Sequence, residues 1–94
     1  MIRHTQRRVE PPDTVLLVEN ANRQGFVVTN VSGTTLYVRF SAEPASANHF
    51  TFALGPGDVL DLLYGHDVYA GDITCLWSAE TGGYAMVDER EALP

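Results

Sequence analysis

The stretch Asn22–Phe40, NRQGFVVTNVSGTTLYVRF, decides the fold. Apolar residues run from Phe26 to Val31 and again from Leu36 to Phe40, with Ser32-Gly33 between them. Two runs of β-branched and aromatic residues about a Ser-Gly turn predict an antiparallel hairpin. With that turn, the register pairs Asn30 with Thr35, Val28 with Tyr37 and Phe26 with Arg39. One face then carries Val27, Thr29, Leu36, Val38 and Phe40, the expected core face. The other carries Phe26, Val28, Asn30, Thr35, Tyr37 and Arg39. A hairpin lying on one core has a polar outer face, yet Phe26, Val28 and Tyr37 cluster here. An apolar cluster of this kind needs a cover: the chain's own arm or a loop, another subunit, or a ligand. Tyrosine and arginine beside apolar residues suit the centre of a subunit interface. Phe26, Val28, Tyr37 and Arg39 are therefore the expected interface residues.

Outward from this stretch the chain reads as strands and turns. Further strands are expected at Thr14–Glu19, His49–Leu54, Asp58–Leu63, Asp67–Tyr69, Ile73–Ser78 and Gly83–Asp88, beside Gly25–Val31 and Thr35–Ser41. The separators (NANR, SG, EPASA, GPG, YGH, AGD, AETGG) are rich in turn-forming residues. Short strands at steady spacing predict an all-β single domain. The expected architecture is an antiparallel β-sandwich or jelly-roll-like barrel of about eight strands, with an extended N-terminal arm. Pro11-Pro12 separates residues 1–13, the arm, from residues 14–94, the sandwich domain.

Ninety-four residues, 45% of them hydrophobic, support one modest core. The single cysteine, Cys75, excludes an internal disulfide framework. Charge is unevenly placed. Arg3, Arg7 and Arg8 fall in the first eight residues, whereas residues 9–94 hold three arginines against twelve acids, a net −9. A basic arm on an acidic body points to contact between unlike surfaces. The acidic body argues against nucleic acid as the main partner. No apolar run approaches the ~20 residues that span a bilayer, and MIRHTQRRVEPPD lacks the apolar middle of a secretory signal.

No catalytic motif emerges. His49, His66, Asp58, Asp61, Asp67 and Asp72 lack a recognised ligand spacing and sit where turns use acids, so no metal or cofactor is expected. Cys75 shares a strand face with Ile73 and Trp77 and reads as an inert core thiol. No serine occupies a nucleophile elbow, and GPGD and TGG lack the helix of a phosphate loop. Trp77 with Tyr37, Tyr64, Tyr69 and Tyr84 offers a sugar platform as a secondary reading. Asn30-Val31-Ser32 matches a glycosylation sequon and reads instead as turn chemistry.

With the strands placed, NANRQGFVVTNVSGTTLYVRF, FTFALGPGDVLDL, VYAGDITCLWS and GGYAMVDE resemble small β-sandwich virion proteins of tailed bacteriophages. The parts that carry the likeness are the Asn20-to-Arg23 entry, a strand ending in Asn, the LYV return, the Pro-Gly turn and the Tyr69–Ile73 step into a Trp-bearing strand. The resemblance covers residues 19–89 and implies a non-enzymatic capsid decoration (cement) protein or a related head or tail accessory protein. It implies a homo-oligomer, with a trimer favoured, bound to the major capsid protein on the capsid exterior after synthesis in the host cytoplasm. It also implies an arm that reaches a neighbour, adding Arg3, Arg7 and Arg8 to the interface set. In this reading Asn20 and Arg23 are structural: the guanidinium ties the NANR turn to a strand-edge carbonyl or a carboxylate such as Glu19. The alternative is a carbohydrate- or receptor-binding module of a phage tail or fibre; an enzyme or cupin-like metal barrel is disfavoured by the missing ligand spacing.

Overall fold

Eight strands follow one another in the computed structural model, which describes residues 1–63, 68–80 and 82–93. They are β1 (Ile2–Val9), β2 (Val15–Leu17), β3 (Arg23–Ser32), β4 (Leu36–Arg39), β5 (Phe52–Leu54), β6 (Val59–Leu62), β7 (Ile73–Trp77) and β8 (Gly83–Ala92). They form two four-stranded sheets, β1-β8-β3-β6 (sheet A) and β2-β7-β4-β5 (sheet B), whose apolar faces make a β-sandwich. Every pairing is antiparallel. The pairing is nested: β4 with β5, β3 with β6, β2 with β7 and β1 with β8. The chain is thus one long hairpin, closed at β4–β5 and wrapped over itself. Every connection except β4–β5 passes from one sheet to the other.

That nesting overturns the hairpin expected over Asn22–Phe40. β3 lies in sheet A and β4 in sheet B, so Ser32–Thr35 is an arch between sheets. In an arch both strands turn their apolar sets toward the shared core. Phe26, Val28 and Asn30 point inward from β3, and Leu36 and Val38 point inward from β4; all five are fully buried. The Asn30 side chain pins the crossing. Its Nδ2 donates to the carbonyls of Thr34 (2.8 Å), Leu54 (2.9 Å) and Gly55 (3.1 Å), while its Oδ1 accepts from the Ser32 N–H and hydroxyl. Beside it, Pro56-Gly57 makes a type II turn closed by Asp58 N–H to Gly55 O at 3.0 Å; Gly57 supplies the required positive φ of 83°.

The core is filled from sheet A by Val9, Phe26, Val28, Leu60, Ala85 and Val87, and from sheet B by Leu16, Leu36, Val38, Leu54, Ile73, Cys75 and Trp77. Each large buried side chain contributes roughly 1.5–3 kcal/mol. Residues 2–9, set apart as an arm in the sequence reading, form β1 and pair with β8 from Ile2↔Ala92 to Val9↔Ala85. Basic β1 lies against the acidic Asp88–Glu91 segment of β8, with Arg3 joined to Glu91 and His4 to Asp88. The expected strand Asp67–Tyr69 is absent over Val68–Ala70, and its Asp67 lies outside the described residues, as do Tyr64 and His66. No helix among the described residues is long and apolar enough to cross a membrane.

Candidate interaction surface

The arch exchanges the two faces that the sequence assigned to β3. Phe26 and Val28, expected in a subunit interface, are 0% exposed within the single chain and cannot meet a partner. Val27, Thr29 and Val31, the other parity of the same strand, point out of sheet A. Asn30 shares this inner parity although it is polar, because its amide is fully spent on the arch.

Tyr37 and Arg39 face outward from sheet B, where the chain covers them itself. Arg39 donates to the Pro44 carbonyl (3.1 Å) and to the Glu43 carboxylate (3.0 Å), and the Tyr37 ring meets Phe50 at 5.2 Å. Outward-facing Thr74 is only 6% exposed because its hydroxyl donates to the Glu43 carbonyl. The 40–51 connection therefore lies across this face.

Three arginines of β1 divide between two sides. Arg3 and Arg7 share the inner side with Val9: Arg3 pairs with Glu91, and Arg7 donates to the Val15 carbonyl of the facing sheet at 3.1 Å. Hydrogen bonds from Asn20 and Arg3 hold the Glu91 carboxyl below the usual carboxylate range. Arg8 stands on the outer side in register with Met86, its guanidinium 3.8 Å above the Tyr84 ring and 3.2 Å from Glu10.

Asn20 and Arg23 meet at one end of the sandwich. Asn20 receives the Asn22 and Arg23 N–H groups and donates to Glu91. The Arg23 guanidinium donates to the carbonyls of Val18 (2.6 Å), Tyr69 (2.7 Å) and Gly71 (2.9 Å) and to the Glu89 carboxylate (2.8 Å). It sits beside Phe26 in an aromatic group with Phe40, Phe52 and Tyr69. The anchor joins the β2–β3 turn to the loop before β7 and to β8; Glu19 takes no part in it.

The outer face of sheet A carries the surface that the sequence reading missed. Cross-strand rows run Arg8–Met86–Thr29–Val59 and Gln6–Asp88–Val27–Asp61, with Val31 beside Tyr84 at one end. Val31 and Val59 are 44% and 54% exposed, and Val27, Thr29, Tyr84 and Met86 are half-buried. The signal was present in the sequence as β3's apolar residues at both parities.

Other candidates disperse. Asp58, Asp61 and Asp72 accept the backbone N–H groups of Gly55, Leu63 and Glu19, and no group of three metal-ligating side chains assembles among the described residues. Trp77 belongs to the core, while Tyr37, Tyr69 and Tyr84 stand on a sheet B face, in the Arg23 end and under Arg8. Cys75 is buried beside Asp13, and burial first and that charge second push its thiol up to about 12. No family model matches the chain. Neither the curated proteins nor the solved structures give a match.

Proposed function

We propose that this chain is a non-enzymatic structural protein of a tailed-phage virion, a decoration protein that binds the outer surface of the head as an oligomer and stabilises the shell. The observation that carries the reading is the outer face of sheet A, where exposed Val31 and Val59 stand beside half-buried Val27, Tyr84 and Met86. The nested strand order, β1-β8-β3-β6 facing β2-β7-β4-β5, supports a jelly roll, an architecture used by viral capsid and lectin domains. Such a protein acts by binding: contacts between neighbouring shell subunits must break before the shell does. Oligomeric attachment multiplies weak single contacts through effective concentration. The alternative, a carbohydrate- or receptor-binding module of a tail or fibre, shares the scaffold, but Trp77, Tyr37, Tyr69 and Tyr84 do not form one platform.

Electron microscopy of particles made with and without the protein tests the reading. Added density on the outside of the head, with earlier heat disruption of heads that lack it, is the expected result. Density confined to the tail, or none, overturns it.

A further inference from the structure

We infer that the outer face of sheet A is a two-fold interface with a second copy of this chain. The inference takes up the oligomer in the reading above, and its experiment uses purified protein alone, so it succeeds or fails independently of particle binding.

Charge placement selects the partner and the axis. The apolar centre (Val31, Tyr84, Met86 and Val59, about Thr29) is flanked by unlike edges. β1 brings Arg8 on one side, its guanidinium 3.2 Å from Glu10, while the β6 edge brings exposed Asp61 on the other. Two copies stacked about an axis running across the strands would set β1 on β1 and β6 on β6, arginine over arginine and aspartate over aspartate. Two copies stacked about an axis along the strands, between β8 and β3, set β1 of each over β6 of the other. Arg8 then lies over Val59, one cross-strand row from Asp61, and the contact forms twice by symmetry. The same operation sets Met86 over Thr29 and Tyr84 over Val31. Asp88 falls at the margin of the patch, where the ring of His4 (3.2 Å) and the amide of Gln6 (3.4 Å) already meet its carboxylate. On sheet B the 40–51 connection meets the outward-facing Arg39 and Thr74 side chains and leaves Leu76 38% exposed. The pairing inferred is two-fold, whereas the family resemblance implies a trimer.

The face is small. Four strands at ~4.8 Å spacing span about 19 Å, giving less than the ~800 Å² per partner of a stable complex. The dimer is accordingly weak, with a dissociation constant on the order of 100 μM, and becomes effective where many copies are held together.

Sedimentation equilibrium from about 10 μM to about 1 mM reads the association directly. Full-length protein is expected to pass from monomer to dimer across that range. Val59→Lys and, separately, Arg8→Glu and Asp61→Arg each weaken it about tenfold, whereas the Arg8→Glu/Asp61→Arg double swap regains most of the affinity. Leu76→Lys, on the outside of sheet B, leaves it unchanged. Circular dichroism and Trp77 fluorescence verify folding; Val59 and Asp61 are exposed, so those variants keep the core intact. A protein that stays monomeric to 1 mM, a dimer indifferent to Val59→Lys, one lost on Leu76→Lys, or a double swap no better than the single changes overturns the proposal.

Discussion

Arg23 Nε donates to the Glu89 carboxylate across 2.8 Å, with the arginine side chain wholly enclosed and the glutamate 16% exposed. The remaining guanidinium donors bind carbonyls of Val18, Tyr69 and Gly71, so one side chain closes the end of the sandwich from three directions. Removing it leaves those carbonyls and a carboxylate unpaired in a partly dry site. Arg23→Met is expected to cost about 3–5 kcal/mol. At ~4–8 °C per kcal/mol, that lowers Tm by more than about 10 °C. Arg23→Lys recovers little, because an ammonium cannot reproduce the planar fork. Thermal unfolding followed by circular dichroism checks both; a loss under about 1 kcal/mol would reduce the anchor to an ordinary surface ion pair.

The buried amide of Asn30 makes a second, chemically distinct prediction. Its Nδ2 serves three carbonyls of the arch and the Pro-Gly turn. Asn30→Leu keeps the branched outline in a bulkier side chain and strands those acceptors and the Ser32 N–H, at a cost of about 2–4 kcal/mol. Asn30→Asp points a carboxylate at the same carbonyls. This variant should be less stable at neutral pH and recover part of the loss in acid, because the folded state raises that carboxyl's pKa and favours its protonated, donating form. Urea unfolding at two pH values distinguishes the substitutions; a flat pH response of Asn30→Asp relative to the parent chain contradicts the assignment.

Strand positions were legible because β-branched and aromatic runs alternate with glycine, proline and asparagine clusters, as at Gly25–Val31, Asp58–Leu63 and Ile73–Ser78. Partnering was not. A Ser-Gly turn serves a hairpin within one sheet and an arch between two, and only the global nesting decides which. The arch reverses the inward parity of β3, so outward-facing Val27 and Thr29 fall on the expected core face and the enclosed Phe26 and Val28 on the expected outer one. β1 escaped notice because an edge strand exposed along Ile2–Arg8 has no core-facing alternation to read; only Val9 is buried. Arg23 was legible as a structural anchor, but its partners lie far along the chain at Tyr69, Gly71 and Glu89, where no local spacing points.

Docking of β1 can be tested at its two ends. Val9 is fully enclosed opposite Ala85, whereas Ile2 is 40% exposed opposite Ala92. Val9→Ala should cost ~2 kcal/mol through the cavity it leaves. Ile2→Ala should fall within about 0.5 kcal/mol of the parent chain. Denaturant titrations of the two variants give the comparison, and equal silence at both positions would mean that residues 2–9 are not held on β8.

Cys75 supplies a pH prediction with a definite sign. Burial, then the Asp13 charge, push its thiol from 9.0 up to about 12, with Arg7 opposing weakly. Between those values the unfolded chain releases the proton and the folded chain keeps it, so the unfolded state binds fewer protons and stability falls as pH rises. The stabilisation is complete below pH 9 and is lost on the order of 1 kcal/mol per pH unit above it. Cys75→Ala removes this component of the slope while leaving contributions from other alkaline groups, so the difference between the two chains isolates the thiol. The same burial predicts that the native thiol resists an aromatic disulfide reagent at neutral pH and reacts stoichiometrically once urea unfolds the domain. Reaction of the folded protein at the rate of the unfolded one would place Cys75 outside the core.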